Sequence, residues 1–305
     1  MKMVVKENYR VLLVEDDQGD ARLIQEMLAE DPINGFMVTQ SEDLEGAAVH
    51  LENQTFDVIL LDLNLPDSQG ENTFTRINTL VPDLPIVILT GNVDQQAAFS
   101  AIGLGAQDYL VKGSFQDGLL SRAILYAIER KRLQNMISHL ALHDALTNLP
   151  NRRLLMEHLV RDLESSKRAN KHLAILVLDL DDFKHINDEY GHHIGDQVLI
   201  KVANRLQYLL RKCDVIARIS GDEFVIPIPN ILGAEQAQFV ASKIIEAFKE
   251  PFQTENARIA VSFSIGIALY PENGDDPQEL IKVADKAMYQ AKMQGKGCYH
   301  LVQEV

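Results

Sequence analysis

A parallel α/β unit followed by an α+β unit is the fold class that this 305-residue sequence predicts. Three observations predict it. Strand-like and helix-like apolar patterns alternate through the first 125 residues, as in a parallel sheet covered by helices on both faces. Beyond about residue 143 the pattern changes to hairpin-like strands mixed with helices, which suggests a mainly antiparallel sheet. The charge changes there too. Residues 1–125 carry 7 Lys/Arg and 20 Asp/Glu, a net −13, whereas residues 126–305 carry 22 and 24, a net −2.

In the first unit the short β-type runs are Val11–Val14, a strand near Phe36–Gln40, Phe56–Leu61, Ile86–Leu89 and Tyr109–Val111. Amphipathic segments separate them at Ala21–Ala29, Leu44–Glu52, Gly70–Thr79 and Asp94–Leu104. In such a sheet, sites form beyond the carboxyl ends of the strands. A connector follows over Gln116–Leu142. Leu119, Ala123, Tyr126, Leu133, Ile137 and Leu140, with Arg130 filling the gap, recur at alternating spacings of four and three. That is a coiled-coil seam, and a helix pairing with its copy in a second chain is expected.

The second unit has strand-like runs at Leu173–Asp179, Val215–Arg218, Phe224–Ile228 and Ile259–Ile267. Helical patterns cover Arg152–Arg168, Gly195–Leu210, Ala234–Lys249 and Pro277–Gln294, and Phe183-Lys184 opens a further helix.

Composition excludes several classes. The longest apolar runs are strand-sized, far below the ~18 residues of a membrane span. The opening MKMVVKENYR lacks the apolar region of a secretory signal, and Cys213 and Cys298 make no disulfide framework. A cytoplasmic protein is expected, without membrane insertion. A net charge of −15 opposes general affinity for DNA.

Two constellations carry chemistry. In the first unit, one strand ends in Glu15-Asp16-Asp17 and another in Asp62, so several carboxylates share one rim. Crowded carboxylates repel one another unless a cation intervenes, and Mg²⁺ is a hard ion that takes oxygen ligands. Thr90 and Lys112 close two further strands and bring a hydroxyl and an ammonium to the same rim. This set suits an aspartate that accepts a phosphoryl group.

Residues 8–125 resemble a response-regulator receiver domain, which implies a doubly wound (βα)5 fold. The resemblance makes Asp62 the phosphoacceptor, Glu15 and Asp16 the Mg²⁺ acids, and Asp17 their neighbour. Thr90 and Lys112 match the switch hydroxyl and lysine, and Tyr109 matches the reorienting aromatic. A cognate sensor histidine kinase is the implied partner. Gly113 departs from the proline usual after the lysine.

In the second unit, Asp179 ends the apolar strand LAILVLD. Helix N-terminal amides at Phe183 and Lys184, with the lysine itself, make a phosphate cradle. Asn187 and Asp196 are suited to a guanine edge, which offers donors and acceptors. RISGDEF reads as a hairpin whose second arm opens with Asp222 and Glu223. These acids are either a solvated turn or, if Asp222 lies beside Asp179, a divalent-ion site. Asp181, Asp182, Asp188 and Glu189 are read as mostly solvating a loop. His185, His192 and His193 lack cysteines at ligand spacing and are read as loop or packing residues rather than zinc ligands.

Residues 139–303 resemble the GGDEF domain of diguanylate cyclases through HDALTNLPNRR, DLDDFKHINDEYGHHIGD, SGDEF and DKAMYQAKMQGKG. The resemblance implies an α+β, nucleotide-cyclase-like fold. It further implies condensation of two GTP into cyclic di-GMP with release of pyrophosphate. Each domain holds one GTP, so a homodimer is implied. By position, Asp179, the Leu180 carbonyl and Asp222 would hold the metals, Mg²⁺ or Mn²⁺, with Glu223 assisting. Asn187 and Asp196 would contact guanine, and Phe183, Lys184 and Lys292 the phosphates; Gly221 keeps the permissive half of the signature turn. Arg211 and Asp214, an RxxD pattern five residues before Ser220, match an inhibitory site for the product.

Two positions depart from the family. Ser220 replaces the first signature glycine, and if that position requires positive φ the cost is roughly 1–2 kcal/mol. Lys296 stands where arginine is usual, which keeps charge but loses a bidentate fork. A second reading therefore stays open: a catalytically weak or inactive module that binds GTP or cyclic di-GMP and relays a two-component signal to a protein partner.

Overall fold

The computed structural model describes residues 8–91, 95–113, 118–211, 214–253 and 257–302. Asp94 and Gln116, the expected starts of a helix and of the connector, lie outside the described residues, as do Cys213 and residue 303. The chain divides into Met1–Ser138 and His139–Val305.

The first unit runs β1 (Asn8–Val14), α1 (Gln18–Ala29), β2 (Gly35–Ser41), α2 (Leu44–Asn53), β3 (Val58–Asp62), a small ribbon β4 (Asn64–Leu65) and β5 (Ser68–Gln69), then α3 (Glu71–Leu80), β6 (Ile86–Thr90), α4 (Gln95–Gly103) and β7 (Asp108–Val111). Its sheet has the order β2-β1-β3-β6-β7, and every pairing is parallel. Strand side chains alternate between faces. Val11 and Leu13 of β1 therefore join one buried cluster while Leu12 and Val14 join the other. That double burial is why β1, β3 and β6 read as unbroken apolar runs.

Helix α5 spans Leu119–Leu142. Its first turns corrects the expected seam. Leu119 and Ala123 pack into the core of the first unit with Leu120, Ile124 and Ala127. Arg130 donates to the Gln107 carbonyl at 2.9 Å. The exposed apolar stripe is therefore shorter than predicted and consists of Tyr126, Leu133, Ile137 and Leu140, with Met136 beside it.

The second unit runs α6 (Arg152–Ala169), β8 (His172–Leu180), α7 (Phe183–Tyr190), α8 (His192–Leu209), β9 (Ala217–Ser220), β10 (Glu223–Ile231), α9 (Ala234–Ala247), β11 (Phe252–Gln253), β12 (Arg258–Ile259), β13 (Phe263–Tyr270), α10 (Pro277–Met293) and β14 (Tyr299–Leu301). The sheet order is β14-β13-β8-β10-β9. Central β8 is antiparallel to both neighbours, and only β13–β14 is parallel. One face buries Val198, Val202 and Leu206 of α8 with Ala237 and Ile244 of α9. The other buries Leu155 and Leu159 of α6 with Leu280, Ala284 and Met288 of α10.

The expected strand Ile259–Ile267 is two elements. Residues 258–259 pair with β11 in a separate ribbon, and β13 starts only at Phe263. The backbone partners change between them: residues 258–259 pair with β11, whereas the Ser262 carbonyl already accepts the Asp181 amide at 2.9 Å, in line with the β13–β8 pairing.

Candidate active site and phosphoacceptor pocket

The rim of the first unit is built by strand ends. Glu15 follows β1, Asp62 ends β3, Thr90 ends β6 and Lys112 follows β7. Parallel strands bring all four to one edge. Single ligand atoms of Glu15, Asp16 and Asp62 lie within 4.8 Å of one another. Lys112 Nζ bonds Asp62 and lies 2.8 Å from Glu15 Oε1, 2.6 Å from its Oε2 and 3.1 Å from Asp20.

Burial pushes the Glu15 carboxyl up to about 7, and the Asp62 charge adds to this against the hydrogen bond from Lys112. Burial works against the Lys112 charge, yet bonds to Asp62 and Glu15 outweigh it and raise the ammonium above its ordinary value. Asp17 points elsewhere: it caps α1 by accepting the Gly19 and Asp20 amides at 2.8 and 2.9 Å. The buried Thr90 hydroxyl donates to the Gly91 carbonyl at 3.1 Å, and Tyr109 stands at the surface of β7. An oxygen-only donor set with one lysine fits Mg²⁺ chemically.

In the second unit, antiparallel register sets Glu223 of β10 directly opposite Asp179 of β8. The Leu180 amide donates to the Asp222 carbonyl at 3.3 Å, so the hairpin turn is tied to the end of β8. Burial pushes Asp179 up to about 6; Lys292 pulls it down, while the charges of Asp222 and Glu223 add to the rise. Asp179, Asp222 and Glu223 do not close to the spacing of the first unit's trio. Lys292 Nζ instead neutralises Asp179 at 2.6 Å, and Lys296 pairs with Asp182 at 2.7 Å. Lys292 and Lys296 thus rest on acids, one near the end of β8 and one in the loop that follows it. A buried carboxylate of raised affinity for protons, already gripping a cation and flanked by two more acids, fits a divalent ion by its chemistry.

Ser220 is not strained. It ends β9 and is absent from the left-handed region, which Gly221 occupies with φ 47°. The conditional cost considered from the sequence therefore does not arise. Ser220 Oγ donates to Glu223 Oε2 at 2.9 Å. Arg218 braces the same turn, donating to the Gly221 carbonyl at 2.9 and 2.7 Å and to Asp144 Oδ1 at 2.7 Å. Burial favours protonated Asp144, but bonds from Thr147 and Arg218 hold its carboxyl below the usual range.

Asn187 lies on α7, and Asp196 lies just beyond the first turn of α8, next to Gly195, which packs against Asn187. Gly195 makes this possible, since a Cβ there would stand 1.9 Å from Asn187 Oδ1. The amides of Phe183 and Lys184 open α7 and, as first-turn donors, have no intrahelical acceptor. Asp181 overturns its reading as a solvated loop acid. It is buried and accepts from Ser262 and Ser264 hydroxyls at 2.6 Å each and from the Gly297 amide at 3.0 Å. Gly266 was also missed: a Cβ would stand 1.9 Å from the Ala284 carbonyl, so α10 lies against the β13 backbone. This close approach carries Lys292 to Asp179.

Asp214 Oδ2 accepts the Arg211 amide at 2.9 Å. Both border a cavity of 730 Å³ whose walls include Ile228, Gln236, Phe239 and Lys243. It is separate from the acids at the hairpin.

Residues 141–298, more than half of the chain, match the family model "Diguanylate cyclase, GGDEF domain", and residues 11–124 match "Response regulator receiver domain". Diguanylate cyclase TpbB of Pseudomonas aeruginosa is 40% identical over 168 residues, 55% of this chain and 39% of TpbB. Response regulator PleD of Caulobacter vibrioides is 30% identical over 299 residues, 94% of this chain and 64% of PleD. This chain thus spans less than two thirds of either relative. The coiled coil and GGDEF domain of DgcB from Caulobacter crescentus, crystallised with c-di-GMP, superposes with a TM-score of 0.51 at 26% identity, covering 61% of this chain and 100% of that one. The chain belongs to the GGDEF diguanylate cyclase family and carries a response-regulator receiver domain ahead of its GGDEF domain.

Proposed function

We propose that the chain is a diguanylate cyclase governed by its receiver domain, condensing two GTP into cyclic di-GMP with release of two pyrophosphates. One observation carries this reading: Asp179 faces Glu223 across β8–β10, with Asp222 beside them and the α7 N-terminus next in the chain. Asp179, the Leu180 carbonyl, Asp222 and Glu223 would hold Mg²⁺ or Mn²⁺, which when bound neutralises charge on the attacking and leaving oxygens. The α7 amides of Phe183 and Lys184, with Lys292 and Lys296, bind the phosphates. Asn187 and Asp196 orient guanine, and Gly221 lets the turn approach the nucleotide. A 3′-hydroxyl of one GTP then attacks the α-phosphorus of the GTP on a second copy, so a homodimer is required.

In the receiver, Glu15, Asp16 and Asp62 would hold Mg²⁺, and Asp62 accepts a phosphoryl group from a sensor histidine kinase. Lys112 supports the transferred charge, while Thr90 and Tyr109 report it. Arg211 and Asp214 bind product and give feedback inhibition, a role supported by the cavity they border. The reaction belongs in the cytoplasm, where GTP is available; no helix among the described residues is long and apolar enough to cross a membrane.

A second reading, a module that binds GTP or cyclic di-GMP without turnover, is favoured by the Lys292–Asp179 and Lys296–Asp182 pairs, which occupy the phosphate-binding lysines. Incubation of the beryllofluoride-treated chain with Mg²⁺ and GTP separates the two. The cyclase reading expects cyclic di-GMP from wild type and none from Asp222→Ala. Calorimetric binding of GTP with no product selects the binding module.

A further inference from the structure

The serine of the signature turn does more than replace a glycine. Ser220 and Glu223 face each other in the β9–β10 register, just before the register shifts between Glu223 and Phe224. The Ser220 hydroxyl donates to Glu223 Oε2 at 2.9 Å, and Glu223 in turn stands opposite Asp179. Because Gly221 takes the left-handed backbone position, the serine side chain is accommodated without backbone strain. A hydroxyl bound to an ionised carboxylate makes a strong, directional contact that fixes the rotamer and occupies a lone pair.

We propose that Ser220 is a positioning residue that leaves Glu223 one free carboxylate oxygen for a divalent cation, and so biases the nucleotide site toward Mg²⁺ over Ca²⁺. The inference rests on the cyclase reading, in which Glu223 helps to hold that cation. Ca²⁺ takes six to eight oxygens and readily accepts a carboxylate through both of them. Mg²⁺ requires six ligands in near-octahedral geometry and uses one or two carboxylates with several waters. A glutamate with one oxygen held by a neighbouring hydroxyl serves the second ion better than the first. The Leu180 amide donates to the Asp222 carbonyl at 3.3 Å, which ties the turn before Glu223 to the end of β8.

The test uses the full chain and a fluorescent GTP analogue with a methylene between the α- and β-phosphorus, which binds but cannot react. Analogue binding is titrated with Mg²⁺ and, separately, with Ca²⁺. The readout belongs to the nucleotide site, so the acids of the receiver do not contribute. Wild type is expected to reach half-saturation at lower Mg²⁺ than Ca²⁺. In Ser220→Ala and Ser220→Gly the Mg²⁺ midpoint should rise about tenfold, while the Ca²⁺ midpoint stays or falls. Ser220→Thr, which keeps the hydroxyl, should behave as wild type, and unchanged metal-free melting temperatures exclude a folding defect. Variants whose two midpoints match wild type, or rise equally for both ions, overturn the proposal and leave the cyclase reading intact. A wild-type chain that binds the analogue with neither ion overturns both.

Discussion

Glu15 shows how a single buried acid links the first unit's stability to its chemistry. With metal chelated, burial pushes its carboxyl from 4.5 to about 7. A carboxyl raised on folding contributes stability that is complete below its unfolded value and is lost as pH rises through its folded value. The first unit of chelated protein should therefore lose roughly 3 kcal/mol between pH 4.5 and 7. Urea unfolding followed by circular dichroism checks this, and Glu15→Gln should flatten the slope. A wild-type midpoint that does not fall across this range contradicts the burial argument. The strand-end acids were legible because an apolar run stopping at a carboxylate is a local pattern. Asp181 was not, because its burial depends on Ser262, Ser264 and Gly297, each more than eighty positions away in the sequence. Ser220 was half legible: the substitution was visible, but whether it needed positive φ depended on how the hairpin divides its turn.

At the scale of elements, the nucleotide site depends on how closely α10 lies on the sheet. Gly266 in β13 leaves no room for a methyl group, since a Cβ would meet the Ala284 carbonyl at 1.9 Å and the Met288 amide nitrogen at 2.2 Å. Both are backbone atoms and cannot rotate away. Gly266→Ala should destabilise the second unit by about 3 kcal/mol, the upper end for overpacking, and weaken analogue binding by withdrawing Lys292 from Asp179. Thermal melting and analogue titration measure the two effects, and a variant as stable as wild type would show that α10 can shift freely. The sequence predicted α10 and a strand that overlaps β13 over residues 263–267. It did not predict their separation, because a glycine inside an apolar run carries no information about the helix that will cover it. The strand expected over 259–267 failed for a related reason: apolar residues continue through 261, while the backbone partners change from β11 to β8.

At the scale of the whole molecule, the proposed chemistry needs two copies, and helix α5 offers the surface to join them. Its early apolar residues are committed to the first unit's core, so the pairing proposed for this helix rests on the exposed Tyr126, Leu133, Ile137 and Leu140. These positions keep the alternating spacing of a coiled-coil seam once Arg130 is counted. Arg130 is anchored on the Gln107 carbonyl, within the first unit, so the proposed pairing should be strongest toward the C-terminal end of the helix. Ile137→Glu together with Leu140→Glu should place like charges across that seam and give a monomer by analytical ultracentrifugation. Neither residue belongs to the nucleotide site, so each monomer should bind the GTP analogue with unchanged affinity while forming no cyclic di-GMP. Binding retained without turnover is the outcome expected if the second copy supplies the other substrate rather than part of the first one's pocket. A monomeric variant that still turns over GTP would remove the requirement for two facing domains, and with it the role proposed for the helix.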